Sequence, residues 1–235
     1  NTTLSATNVV IASGGVMTLP PAYTNTVMSN NVVIVCSNLT VATGGKIDTD
    51  GKGYAGGAAA KHGYGPGGGW GTTSSGGSGG GYGGLAMEVG YAPGGAPYGD
   101  AAAPLAPGSG GGGCNRAAGA GGGAIRIEAT GEVAVNGTIS AAGVAGVQES
   151  YGGGGGSGGG IFITCRTLAG AAGGVIAADG GNGWYSAYST PGGGGRIAVA
   201  YDTEAQGARP PVRFQALPGK MGTVAKPTVM SEYRG

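Results

Sequence analysis

The chain has 235 residues, of which 60 are glycine, while charged side chains make up 10% and aromatic ones 6%, for a formal net charge of +1. That length can bury a real core in one domain or two, but with neither a basic stripe nor an acidic tail nucleic acid is excluded as a partner. The longest aliphatic run, Val32 to Val35, is far short of the about 20 residues a membrane-spanning helix needs, and the glycines keep no collagen period.

In chain order, residues 1–51 read as strands and a first coil. Val9, Val10 and Ile11 lie in an opening strand-like run, followed by Val32 to Cys36, Leu39-Thr40-Val41 and Lys46-Ile47-Asp48. Residues 52–121 form an insertion of Gly, Ala, Pro and Ser studded with Tyr54, Tyr64, Trp70, Tyr82, Tyr91 and Tyr98. Aromatic side chains give such a segment something to bury, so ordered glycine-rich loops of polyproline-II-like geometry are expected rather than a disordered linker. Residues 122–219 hold three repeats, because Ile125, Ile161 and Ile197 are spaced by 36 residues (161 − 125 and 197 − 161), as are Ile127, Ile163 and Val199. Between them Arg126, Phe162 and Ala198 alternate outward, the period of a half-buried strand. Asn136-Gly137 supplies a tight turn inside the unit. Residues 220–235 form a C-terminal segment whose strand-like run includes Val229.

Strands that return to the same place after each repeat predict an all-β fold, a parallel β-solenoid with inward ladders formed by Ile125, Ile127, Ile161, Ile163, Ile197 and Val199. Open edges at both ends, without a visible cap, predict end-to-end assembly of the chain with itself, or contact with neighbouring coils of a longer protein, through Val9, Val10, Ile11 and Val229. The chain opens on Asn1 with no leader-like segment, which suggests a processed chain or an excised fragment. Low charge and abundant Ser and Thr suit an extracellular surface.

The repeat Gly-Gly-Gly-x-Ile-x-Ile, with its echo Gly192-Gly193-Gly194-Gly195-Arg196-Ile197-Ala198-Val199, resembles the glycine-rich β-helix modules of large secreted and cell-surface bacterial proteins. The resemblance implies a right-handed parallel β-helix at the bacterial cell surface and brings no catalytic residue.

Chemistry is sparse. Cys36, Cys114 and Cys165 have no CxxC spacing and read as buried free thiols, Cys36 and Cys165 lying two strands apart. Asp48-Thr49-Asp50-Gly51 looks like half a calcium loop but lacks the other ligands, so a turn aspartate bonding its own backbone is the better reading. The pairs Glu128 with Glu132 and Asp202 with Glu204 fall on solvated strand faces and turns, and the lone His62 has no triad partner. Asn1, Asn38 and Asn136 begin glycosylation sequons. No cofactor or metal is expected. The function read from these features is an extracellular structural or adhesive protein, a self-assembling surface-fibre subunit and not an enzyme. The alternative is a carbohydrate-binding module, or a β-helix resembling polysaccharide lyases and hydrolases, with the aromatic insertion as the glycan platform.

Overall fold

The computed structural model describes residues 2–25, 30–147, 151–183 and 190–220, and among these the regular elements are all strands. In chain order they are β1 (Thr2–Ile11), β2 (Val16–Thr18), β3 (Asn31–Val41), β4 (Lys46–Asp48), β5 (Ala124–Ala129), β6 (Glu132–Val135), β7 (Thr138–Ser140), β8 (Gly160–Cys165), β9 (Thr167–Gly170), β10 (Val175–Ala177), β11 (Arg196–Tyr201) and β12 (Arg213–Gln215).

The expected β-solenoid, or right-handed β-helix, is corrected by the strand order. Every strand pair is parallel, and the strands gather into two sheets. One runs β12-β10-β7-β4-β2. The other follows β11-β8-β5-β3-β6-β9, a nearly closed, barrel-like sheet of six parallel strands, with β1 on the outer side of β3. The cause lies in one long strand. Asn31 to Cys36 of β3 pair with β5, Leu39 to Val41 pair with β6, and the facing chain breaks between them at Thr130-Gly131. β3 therefore takes two successive partners where a uniform coil would offer one.

The register follows side-chain chemistry. Val32, Ile125, Ile161 and Ile197 stand side by side, as do Ile34, Ile127, Ile163 and Val199. In the smaller sheet Met17, Ile47, Ile139, Ile176 and Phe214 form one row. Interior members of these rows are fully buried, and each contributes about 1.5–3 kcal/mol. The end members Leu4, Ile11, Met17, Ile197, Val199 and Phe214 are only partly buried, because their strands have one neighbour instead of two. Val9 is buried, Val10 is exposed, and Val229 lies outside the described residues together with the run around it.

The glycine-rich segments are not loops hanging from these sheets. They form a layer of their own. Consecutive N–H groups from Gly154 to Gly159 donate to the carbonyls of Gly112, Thr190, Val144, Ser109, Gly193 and Ala141. Three neighbouring segments are visited in turn and then revisited in the same order, so the backbone has a threefold repeat. Carbonyls of the same segment accept from Gly77, Gly80, Gly119, Gly122 and Gly181, which belong to three further segments. One glycine strip thus touches six others. Only glycine permits the approach: a methyl group at Gly156 would overlap the carbonyl of Ala120, and one at Gly158 that of Ala178.

Candidate binding surface

Segments 117–123, 152–159 and 190–195 run into β5, β8 and β11, so their opposite ends mark the edge of the layer farthest from the sheets. Turns from separate parts of the chain meet there. Ala60 N–H donates to the carbonyl of Cys114 (2.7 Å), Asn115 N–H to that of Tyr151 (3.2 Å), and the Thr72 hydroxyl reaches the Cys114 sulfur (3.4 Å).

Two excursions carry exposed apolar and aromatic side chains to this region. In the first, Gly63 N–H bonds the carbonyl of Gly69 (2.8 Å), folding residues 61–71 back on themselves and setting the His62 and Trp70 rings edge to face at 4.8 Å. Gly71 N–H donates to His62 Nδ1 (3.1 Å), which fixes the ring and leaves the neutral imidazole's proton on Nε2. Trp70 is half exposed, and Tyr64 lies exposed on the same arm. In the second excursion Val89 and Ala92 exchange N–H···O bonds of 3.0 and 2.9 Å around Gly90-Tyr91. Gly90 supplies the positive φ of 55° that this two-residue turn needs. Tyr91 at its tip is fully exposed, flanked by exposed Leu85 and Met87.

Buried hydroxyls anchor both excursions. Ser78 Oγ accepts from Trp70 N–H (2.6 Å) and donates to the carbonyl of Pro93 (2.7 Å), tying the two together. Thr190 Oγ1 accepts from Gly79 N–H (2.7 Å) and donates to the carbonyl of Met87 (2.8 Å). Ser109 and Ser157 bond to each other deeper in the layer, where Ser157 Oγ accepts from Ser109 N–H (2.8 Å). Three of these residues stand in Gly-Ser-Gly triplets at 77–79, 108–110 and 156–158, a signal that composition alone conceals.

The aromatics of residues 52–121 therefore divide. Tyr54 and Tyr82 are buried and Tyr98 is half-buried; Tyr54 packs on Tyr23, and Tyr82 on Tyr98, at 4.8 Å in each case. The Tyr98 hydroxyl donates to the carbonyl of Pro107 (2.5 Å), and burial raises its pKa. Burial likewise pushes the Tyr82 hydroxyl up to about 12. Tyr64, Trp70 and Tyr91 point outward and are the ones free to bind.

Other expected positions are occupied locally. Asp48 Oδ1 accepts from Asp50 N–H (3.0 Å), the turn bond of an aspartate to nearby backbone. Asp50 in turn accepts from the Ser140 hydroxyl (2.5 Å) and Ala142 N–H (2.6 Å). Partial desolvation, reinforced by the charges of Asp48 and Asp179, raises the Asp50 carboxyl despite these bonds. Asp202 caps the N–H groups of Glu204 and Ala205, and Glu128 pairs with Arg126. Asn38 bonds Asn8 (3.0 Å) and Glu132 N–H (3.0 Å), so its sequon amide is already engaged, while Asn1 lies outside the described residues. All three cysteines are free and buried; burial raises the thiol pKa of Cys36 and pushes that of Cys165 up to about 11. Among the described residues no group of three or more His, Cys, Asp or Glu could hold a metal ion, and no helix is long and apolar enough to cross a membrane. No protein-family model, curated protein or solved structure matches the chain.

Proposed function

We propose that this chain is an extracellular adhesive protein of a bacterial cell surface, and that the far edge of its glycine layer binds glycans without turning them over. The observation that carries the reading is the placement of Trp70 with His62, and of Tyr91, exposed on excursions pinned by Ser78 and Thr190. Rigid aromatic faces lose little entropy on binding and offer an apolar surface with a polar rim, which suits the alternating C–H and hydroxyl faces of a sugar ring. Binding rather than hydrolysis is supported by the carboxylates, since Asp48, Asp50 and Asp202 bond nearby backbone and Glu128 pairs with Arg126. Most glycoside hydrolases work with a pair of carboxylates that flank the scissile bond.

The experiment joins a glycan array to a polysaccharide-degradation screen. Binding with no released oligosaccharide is the expected result, and release of oligosaccharide would overturn the reading. Trp70→Ala and Tyr91→Ala should each weaken binding about tenfold, equivalent to about 1.4 kcal/mol, while Tyr201→Ala, exposed on β11, should leave it unchanged. Equal loss in all three variants would place the ligand elsewhere.

A further inference from the structure

We infer that His62 is the positioning residue of the Trp70 arm and that acid switches it off: the neutral imidazole holds the indole in place, and protonation releases the indole and weakens glycan binding. The effect on binding rests on the glycan reading above, whereas the switch is a property of the chain alone.

The switch is one hydrogen bond. Gly71 N–H donates to His62 Nδ1 (3.1 Å), so Nδ1 must offer its lone pair. An imidazolium carries N–H on both nitrogens and accepts nothing. Protonation therefore sets two donors face to face in a gap that holds one proton. The backbone is not free to open that gap. A methyl group at Gly71 would overlap the carbonyl of Lys61, and one at Gly57 the carbonyls of Lys61 and His62, so residues 61–62 are clamped between neighbouring backbones. Relief comes from rotation of the imidazole, which gives up its edge-to-face contact with Trp70 at 4.8 Å and 67°.

The rest of the arm survives the change. Trp70 N–H stays on Ser78 Oγ (2.6 Å), its carbonyl still accepts from Ser78 N–H (3.0 Å), and Gly63 N–H stays on the Gly69 carbonyl (2.8 Å). The backbone is thus held without His62, and the orientation of the indole is what the imidazole adds. Losing it should cost about fivefold in affinity, the weight of one net hydrogen bond, against the about tenfold of removing the indole.

Histidine is the side chain that ordinarily changes charge between about pH 5 and about pH 8, and His62 is the only one in the chain. The other titratable or charged groups on the elements packed here are Lys61 and Tyr64 on the arm, Cys114 and Arg116 on the segment behind it, and Glu88 on the excursion tied through Ser78. The bonds named above that fix Trp70 run to backbone, to Ser78 and to His62, and of these partners only the imidazole titrates.

The test follows the native chain without ligand by NMR from about pH 8 to about pH 5, where the signals of the sole imidazole report its own protonation. At the upper end a scalar coupling across the N–H···N bond should join the Gly71 amide nitrogen to His62 Nδ1, and Overhauser contacts should join the His62 and Trp70 rings. Both should vanish together as the imidazole takes its proton, with an unchanged circular dichroism spectrum. Absence of the coupling at the upper end overturns the inference, as does persistence of the ring contacts after protonation. Affinity is measured in parallel with a neutral glycan retained on the array, so that charge on the ligand plays no part. Native affinity should fall about fivefold across the range. His62→Asn, whose Oδ1 accepts from Gly71 and does not titrate, should bind with one affinity throughout, and His62→Phe, which keeps a ring but no acceptor, should bind weakly throughout. A native affinity independent of pH overturns the inference, as does a His62→Phe variant that follows the native curve. A chain that binds no glycan at any pH overturns the adhesive reading instead, and the coupling and the ring contacts then decide whether His62 positions Trp70.

Discussion

At the scale of single residues, glycine acts here through what it lacks. Gly156 is hemmed in by the backbone of Ala120, whereas Gly173, in the turn before β10, has nothing within 4 Å of where a Cβ would stand. Gly156→Ala should therefore lower stability by about 3 kcal/mol or more, beyond the usual range for an extra methylene in a packed core, and Gly173→Ala should be neutral or slightly stabilising through the unfolded chain. Urea unfolding of the two variants checks this, and similar midpoints would contradict the close approach. The difference could not be read from the sequence, where each position is a glycine beside another glycine; only neighbours far along the chain show which one is hemmed in. The Gly-Ser-Gly triplets were open to reading, since a lone hydroxyl in a glycine run needs a partner when buried. Asp50 yields a second expectation. Its carboxyl is raised in the folded chain, so the folded state holds that proton to higher pH than the unfolded state does. The associated stability is present below the ordinary carboxylate value of about 3.9 and is lost as pH rises through the raised value. Asp50→Asn can still accept from Ser140 and Ala142, and should flatten this decline in a plot of urea midpoint against pH. An unchanged slope would show that another group causes it.

At the scale of elements, the ladders test the register directly. Ile163 is fully buried between Ile127 and Val199, while Arg126 is exposed and pairs with Glu128. Ile163→Asp should unfold the chain, because an unpaired charge between apolar strands costs several kcal/mol. Arg126→Ser should shift the melting temperature little, since an exposed ion pair is worth about 0–1 kcal/mol. Equal shifts would mean that the alternation is assigned to the wrong faces. This register was legible because Ile125, Ile161 and Ile197 recur at one spacing and alternate with variable residues. Asn136-Gly137 likewise marks the step between β6 and β7. What spacing could not convey was the unequal length of β3, whose eleven residues span two strands of its neighbours and redirect the larger sheet. Nor could it separate buried Tyr54 and Tyr82 from exposed Trp70 and Tyr91, because glycine-rich flanks carry no periodicity from which a face could be inferred.

At the scale of the whole molecule, the sheets and the glycine layer are held by different forces. The sheets bury rows of aliphatic side chains, whereas the layer buries chiefly its own backbone and satisfies it segment by segment. The sequence pointed to order in the layer through its aromatics but not to its arrangement, since six-way contact between bare backbones leaves no side-chain pattern behind. That arrangement has a mechanical consequence. The segments run from the sheets to the aromatic edge, so a load applied to Trp70 or Tyr91 and resisted at the sheets is directed along them. Their cross-bonds lie transverse to that load. They would be strained together in shear instead of being opened singly like a zipper, and a surface gripped at the far edge would feel a stiff strut whose rupture requires many bonds to fail at once.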